Sequence, residues 1–332
     1  MKPGCLFLLS LSLALAGSGS CLIGSKTLGG QMEKKVVSVC VATYKRAELL
    51  KKLLDALVSQ KTDGRFLIEV IVVDNDPEQS ARSVVEQFQN SLSIRYGSEP
   101  RKGLSFVRNK TLELASGDFL AFIDDDEYPI DVWLLTYFSV LDRRKDVVVG
   151  QGPVIPYYTK DTKEWIIRGG FFDRPQPEDG TIQSEGKTNN AFVRRDFLVS
   201  NGISGFDMMY NLTGGEDTDF FRRIMVAGGK ILWVSDAVVY EIVPDQRANM
   251  KWLLLRSLRT GGTHFKIQKE NRWLGVNASI ALMRLMISVV FLLGSLFVLP
   301  LSKVQSFRFL RKSVNNLGQF LSFFGFVYNE YA

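Results

Sequence analysis

The 332-residue chain is 46% hydrophobic and 23% charged, which excludes a disordered, collagenous or disulfide-framework protein and allows one large or two ordinary α/β domains. Lysine and arginine outnumber the acids 41 to 35. The first 31 residues hold two of the six net charges and the last 32 hold three, so one remains for the middle. Excess positive charge beside the most apolar stretches points to anionic lipid and away from nucleic acid. Three cysteines (Cys5, Cys21, Cys40) with no CxxC spacing build no disulfide framework. The single histidine, His264, excludes triads and metal sites that need several imidazoles.

Residues 1–31 read as a signal-like segment: Lys2, the apolar run CLFLLSLSLALAG, then small residues up to Cys21. Cys21 lacks the upstream Leu of a lipoprotein acceptor. Met32 is followed at once by EKKVVSVCVA, so 1–31 is also readable as an upstream extension of a domain that starts at residue 32. Val36–Ala42 is a buried strand, and 47–60 is a helix with Leu49, Leu50, Leu53, Leu54 and Leu57 along one face. Residues 67–73 form the next strand, ending in Asp74-Asn75-Asp76. A helix is expected over 77–90, with Pro77 at its start. A strand at 93–96, a helix near 105–115 and a strand at 119–123 follow, the last ending in Asp124-Asp125-Asp126-Glu127. This βαβαβαβ order predicts an α/β domain, a Rossmann-like, mostly parallel sheet with helices on both faces, spanning 32–270. Ligands of such sheets bind beyond the carboxyl ends of the strands, where both acid clusters fall.

Residues 271–332 read as a membrane-associated segment. The stretch 285–302 is uncharged and mostly apolar between Arg284 and Lys303, long enough to cross hydrocarbon. The segment 320–328 is too short to span and reads as interfacial or packed, anchored by Tyr328 and Tyr331.

Strand one is followed by Thr43-Tyr44-Lys45-Arg46, without the glycines of a dinucleotide fingerprint or a P-loop. A nucleotide here would be held by side chains. Asp74, at a strand terminus, is placed either to accept a base N–H or to cap the following helix. Four consecutive acids after an apolar strand repel one another and call for a cation; a D-x-D of Asp124 and Asp126 suits Mg²⁺ or Mn²⁺ against a diphosphate. In Gly214-Gly215-Glu216-Asp217-Thr218-Asp219 the acids open a helix, and one of them is either a general base or a cap. Arg256 and Arg259, three apart in WLLLRSLRTGGTHF, can clamp a phosphate or face anionic lipid, and His264 is a third metal ligand or a surface residue.

VSVCVATYKR, VVDNDPEQSAR, FVRN, GDFLAFIDDDE, GGEDTDFF and VPDQRANMKWL followed by RTGGTH, in this order over 36–265, resemble the family 2 glycosyltransferases with the GT-A fold. The resemblance implies a nucleotide-binding edge of Thr43, Tyr44, Arg46 and Asp74, with Asp74 on the uracil of a UDP-sugar. It also puts Arg108 and Asp125 on the donor side and assigns Asp124 and Asp126 to the metal. Asp217 becomes the catalytic base, and Gly214, Gly215 and Glu216 line the acceptor side. Tyr240 stands where relatives often carry a histidine that reaches the metal, which strengthens the claim of His264. The implied activity is inverting transfer of a sugar to a hydroxyl of a glycan or polyprenyl-diphosphate-linked acceptor, in bacterial surface or exopolysaccharide synthesis. Because sugar nucleotides are cytoplasmic, the implied location is the inner membrane with the catalytic domain on the cytoplasmic side. The competing readings are a polyprenyl-phosphate sugar synthase and a catalytically inactive, membrane-associated glycan-binding subunit.

Overall fold

The computed structural model describes residues 34–211, 214–269 and 273–326; the signal-like segment with Cys5 and Cys21, Met32, and Tyr328 and Tyr331 lie outside the described residues. The elements run β1 (Lys35–Thr43), α1 (Ala47–Val58), β2 (Phe66–Asp74), α2 (Arg82–Phe88), β3 (Ile94–Ser98), α3 (Leu104–Leu114), β4 (Phe119–Asp124), β5 (Glu127–Pro129), α4 (Trp133–Arg143), β6 (Val147–Gln151) and β7 (Val154–Tyr158). They continue with α5 (Glu164–Gly169), β8 (Ile182–Gln183), β9 (Ala191–Arg194), α6 (Arg195–Ser200), α7 (Glu216–Val226), β10 (Lys230–Trp233), β11 (Val239–Val243), α8 (Met250–Lys269), α9 (Leu274–Val298) and α10 (Lys303–Phe323).

The β-branched run of β1 makes it a central strand, parallel to β2 on one side and β4 on the other, with Val39 opposite both Val70 and Ala121. The large sheet has the order β3-β2-β1-β4-β9-β6-β10-β8, and a small one has β5-β11-β7. β9 runs antiparallel to both β4 and β6. Alternation along β1 feeds two cores. Val37, Val39 and Val41 meet the α1 leucines and Trp133 and Tyr137 of α4. Cys40 points the other way, into a core with Val107 of α3 and Phe220 and Phe221 of α7. Helices therefore cover both faces, as the sequence predicts.

Two expectations are corrected. The helix expected over 77–90 covers only α2, because Asp74 and Asp76 accept the amides of Ala81 (2.8 Å) and Glu78 (3.2 Å) in tight turns and Gln79 sits at φ +55°. Such side-chain turns compete with helix initiation, so Pro77 starts nothing. The apolar helix expected near 285–302 runs instead over α9, stopping before Pro300. Arg284 does not end it, since its guanidinium turns inward to Asn316 Oδ1 (3.3 Å).

The chain then returns: α10 lies between α9 and α8 and closes a third core, in which Phe307 packs with Ile166, Phe171, Phe172 and Leu253. Two close approaches fix α10 on α8. A Cβ on Gly261 would meet the Asn315 carbonyl oxygen at 2.0 Å, and one on Gly318 the Leu258 carbonyl oxygen at 2.1 Å. The glycines of RTGGTH thus serve helix packing within α8.

At the far end of the large sheet from the acid clusters, Glu69 is buried and accepts Ser38 Oγ (2.5 Å), Ser116 N (2.6 Å) and Ser116 Oγ (2.8 Å). Burial pushes its carboxyl up, but the hydrogen bonds from Ser38 and Ser116 and the charge of Arg95 prevail and hold it below the usual range. The unfolded chain therefore binds this proton more readily, so the stabilisation is present above the unfolded pKa and is lost as pH falls through the depressed folded value. We expect Glu69→Gln to cost about 1–3 kcal/mol at pH 7 and to flatten the acid limb of the stability curve. Urea denaturation from pH 7 to pH 3 checks this; an unchanged acid slope would refute the assignment.

Candidate active site

The register that sets Ala42 opposite Asp124 brings the ends of β1 and β4 together. Asp125 accepts Thr43 Oγ1 at 2.8 Å and Arg46 Nη1 at 2.9 Å. Asp126 accepts the same guanidinium at 3.2 Å and Arg247 Nη1 at 2.9 Å. Thr43, Asp125 and Asp126 are all buried, while Tyr44 stands half exposed at the rim. Thr43 and Asp125, expected on the nucleotide, are thus committed to each other and splice the two strand ends. Burial raises the Asp125 carboxyl against the pull of Arg46, and pushes Asp126 up to about 7 against that of Arg247.

Asp74 is fully buried at the end of β2. One carboxylate oxygen accepts the Asp76 amide (2.8 Å), and the other accepts the Ala81 amide (2.8 Å) and Tyr96 Oη (3.1 Å). These contacts hold the turn before α2, which has no side-chain cap, and a base reaching Asp74 would share its oxygens with them.

Arg108, on α3, joins the two acid clusters. Its guanidinium pairs with Glu216 and lies 3.7 Å from Asp124. Gly214 and Gly215, at φ +73° and +99°, make the left-handed entry to α7 that only glycine adopts without strain. Within α7 the acids divide. Glu216 is buried, its carboxyl raised by burial against the pull of Arg108, and its Oε2 has no hydrogen-bond partner. Asp219 is held by Arg222 (2.7 Å) and Arg223 (2.8 Å). Asp217 is partly exposed, with Oδ1 accepting the Thr218 amide at 2.7 Å.

Among the described residues no three His, Cys, Asp or Glu side chains form a metal-holding group, so His264, on the exposed side of α8, is not gathered with Asp124 and Asp126. The two aspartates still suit a divalent ion. Their donors are oxygens only, Asp124 is 43% exposed, and Glu127 beside them is buried with Oε1 unpartnered and its carboxyl pushed well up by burial and by Asp124. Mg²⁺-type ions are commonly held by one or two carboxylates, with substrate phosphates and water completing the shell. Tyr240 has its own task, stacking on Tyr128 with ring centroids 5.4 Å apart.

Arg247 and Arg174 were not singled out by the sequence. Arg247 bridges Asp126 and Glu241 (3.7 Å), and Arg174 pairs with Glu241. The motif VPDQRANMKWL contained Arg247, but its partner lies 121 residues away. Arg256 stacks over Trp252 (5.1 Å), and burial lowers its pKa against the pull of Glu241; Arg174, Arg259 and Arg247 are its cationic neighbours. Arg256 therefore belongs to a group of arginines around Glu241, with Arg259 as its neighbour on α8.

The chain matches the glycosyl transferase family 2 over residues 38–199 and the glycosyl transferase family group 2 over 119–328. It is 37% identical to the succinoglycan biosynthesis protein ExoM of Rhizobium meliloti, over 70% of this chain and 75% of that protein. It is 27% identical to the hyaluronan synthase of Pasteurella multocida over 68% of this chain, and spans about a quarter (26%) of that longer enzyme. The fold is shared with the mannosyltransferase PcManGT of Pyrobaculum calidifontis, solved with GDP-Man and Mn²⁺ (TM-score 0.59, 17% identity, 87% of this chain and 88% of that one). It is also shared with S. aureus TarS solved with UDP-GlcNAc (TM-score 0.51, 17% identity, 86% and 92%). The chain belongs to the family 2 glycosyltransferases, and the sheet with its two helical faces has the GT-A fold.

Removing one partner of a buried ion pair leaves the other uncompensated. Arg108→Ala is expected to lower stability by about 3–5 kcal/mol, and Glu216→Gln in that background to recover part of the loss. Urea titration of the two single variants and the double variant measures the coupling; additive losses would dissolve the pair.

Proposed function

We propose that the protein transfers a sugar from a UDP-sugar, with inversion, to a hydroxyl of a glycan or polyprenyl-diphosphate-linked acceptor in bacterial surface or exopolysaccharide synthesis. The reading includes a catalytic domain, 32–270, on the cytoplasmic side of the inner membrane. The observation that carries it is Arg108, which draws the end of β4 and the start of α7 to one guanidinium and so sets a donor-side acid cluster beside an acceptor-side one. The 37% identity to a protein named for succinoglycan biosynthesis supports the acceptor class.

Asp217 acts as the general base, because it alone of the three α7 acids is neither buried against Arg108 nor clamped by helix arginines. Glu216 and its two glycines shape the acceptor side. Asp124 and Asp126 would hold Mn²⁺ or Mg²⁺, which would supply positive charge against a departing diphosphate. Arg46 and Arg247 hold Asp126 in place and contribute positive charge to the same region. Tyr44, exposed beside Arg46, offers a ring for the base, with Asp74 behind it ordering the loop. Arg256 and Arg259 add charge for a phosphate. A base next to an acceptor hydroxyl favours this reading over a polyprenyl-phosphate synthase, whose phosphate acceptor needs no deprotonation.

Calorimetric titration of UDP into the detergent-solubilised protein is expected to give binding that depends on Mn²⁺ and is lost in Asp126→Ala. Asp217→Asn is expected to keep that binding and lose at least a hundredfold in transfer, the usual scale for a general base. Unchanged turnover would remove Asp217 from the role, and metal-independent binding would remove Asp126.

A further inference from the structure

α9 is long and apolar enough to cross a bilayer by length and composition. Its packing bears on whether it does. The residues it turns toward the protein are spaced alternately four and three apart: Asn277, Ala281, Arg284, Ser288 and, one heptad on, Ser295. They form a polar seam with α10. Ser288 Oγ donates to the Ser313 carbonyl (2.9 Å), Ser306 Oγ donates to the Ser295 carbonyl (2.9 Å), and Phe291 meets Phe309 with ring centroids 6.0 Å apart. The pairing of 284 with 316, 288 with 313 and 295 with 306 makes the two helices antiparallel neighbours from end to end.

α10 is in turn bound to the catalytic domain along its length. Arg308 donates to the Gly169 carbonyl (3.1 Å), and Arg311 donates to the Phe171 carbonyl (3.2 Å). Phe307 is buried in the third core, and Gly318 lies against the backbone of α8. Lys312 stands 5.4 Å from the ring of Phe291, beside the middle of α9. If α9 crossed a bilayer, α10 with Arg308, Arg311 and Lys312 would be carried into hydrocarbon, and α5 with it.

The outward arc of α9 is uncharged, and Met286, Val290, Leu293, Leu296 and Phe297 on it are 60–81% exposed. Lys312 of α10 is exposed beside α9, over the Phe291 ring, and Trp273 stands 87% exposed at the start of the arc. An apolar face with a cation beside it and an exposed indole at its start is the chemistry of a helix lying in the headgroup–acyl boundary of an anionic leaflet. The geometry points to α9 as an in-plane anchor: it lies along one leaflet, with α10 between it and the catalytic domain, and both of its ends remain on the domain's side. This rests on the membrane-associated reading given above and replaces a crossing with a one-sided attachment.

The test uses full-length protein with Cys5 and Cys21 changed to Ser, buried Cys40 retained, and single cysteines introduced as L274C, L301C or, on the domain surface, V199C. Membrane-impermeant maleimide is applied to right-side-out and inside-out bacterial membrane vesicles. All three positions are expected to react in the same vesicle orientation. Reaction of L274C and L301C in opposite orientations would overturn the in-plane arrangement while leaving membrane association intact. Recovery of the protein in the soluble fraction, including as a dimer that shields α9, would overturn both. With vesicles of phosphatidylcholine and phosphatidylglycerol (3:1), M286E/L293E is expected to weaken flotation at least tenfold, and undiminished binding would show that this face is not the one that docks. None of these readouts depends on sugar transfer.

Discussion

The carboxylates at the end of β4 can coexist only because arginines from separate parts of the chain converge on them. Arg46 arrives from the turn before α1, Arg108 from α3 and Arg247 from the stretch before α8, while Arg174 meets the neighbouring Glu241. Buried like charges repel strongly at low effective dielectric. The compensation is incomplete: Glu127 and Glu216 each keep one unpartnered oxygen, and Asp126 is pushed up to about 7 by burial. A site with unspent negative potential at the mouth of a parallel sheet is suited to recruiting a divalent cation together with a polyphosphate.

The large sheet was legible because its signal is local. VVSVCVA and LIEVIVV have no reading other than buried strands, and the leucine spacing of 47–60 fixes the face of α1. The acid clusters were legible because residue type alone marks them as costly. Their arginine partners were not, since an ion pair such as Arg247–Asp126 leaves no trace in local spacing. The division of labour among Glu216, Asp217 and Asp219 was invisible for the same reason, being set by which cation each one meets.

One misreading has a tertiary cause: a short polar pattern serves opposite ends in different surroundings. Asp74-Asn75-Asp76-Pro77 reads as a helix start and is built as side-chain turns. Gly261, grouped in the sequence with Arg256 and Arg259, sits inside α8, where its missing Cβ lets α10 approach. Such close approaches through small residues are a recurrent means of helix association. Arg284 likewise looked like the end of an apolar span and is instead an inward-facing member of the seam with α10.

The docking of α10 has a mechanical consequence. Among the described residues, α9 is joined to the catalytic domain through α10: Arg308 and Arg311 hold α10 to backbone carbonyls at Gly169 and Phe171, and Gly318 holds it to α8, which follows directly from Arg247. With α9 lying along the leaflet, the acid clusters stand at a constant height above the headgroups. An acceptor of the proposed lipid-linked class would then have to bring its growing end to that height, and would be selected by the length of its glycan as well as by its chemistry.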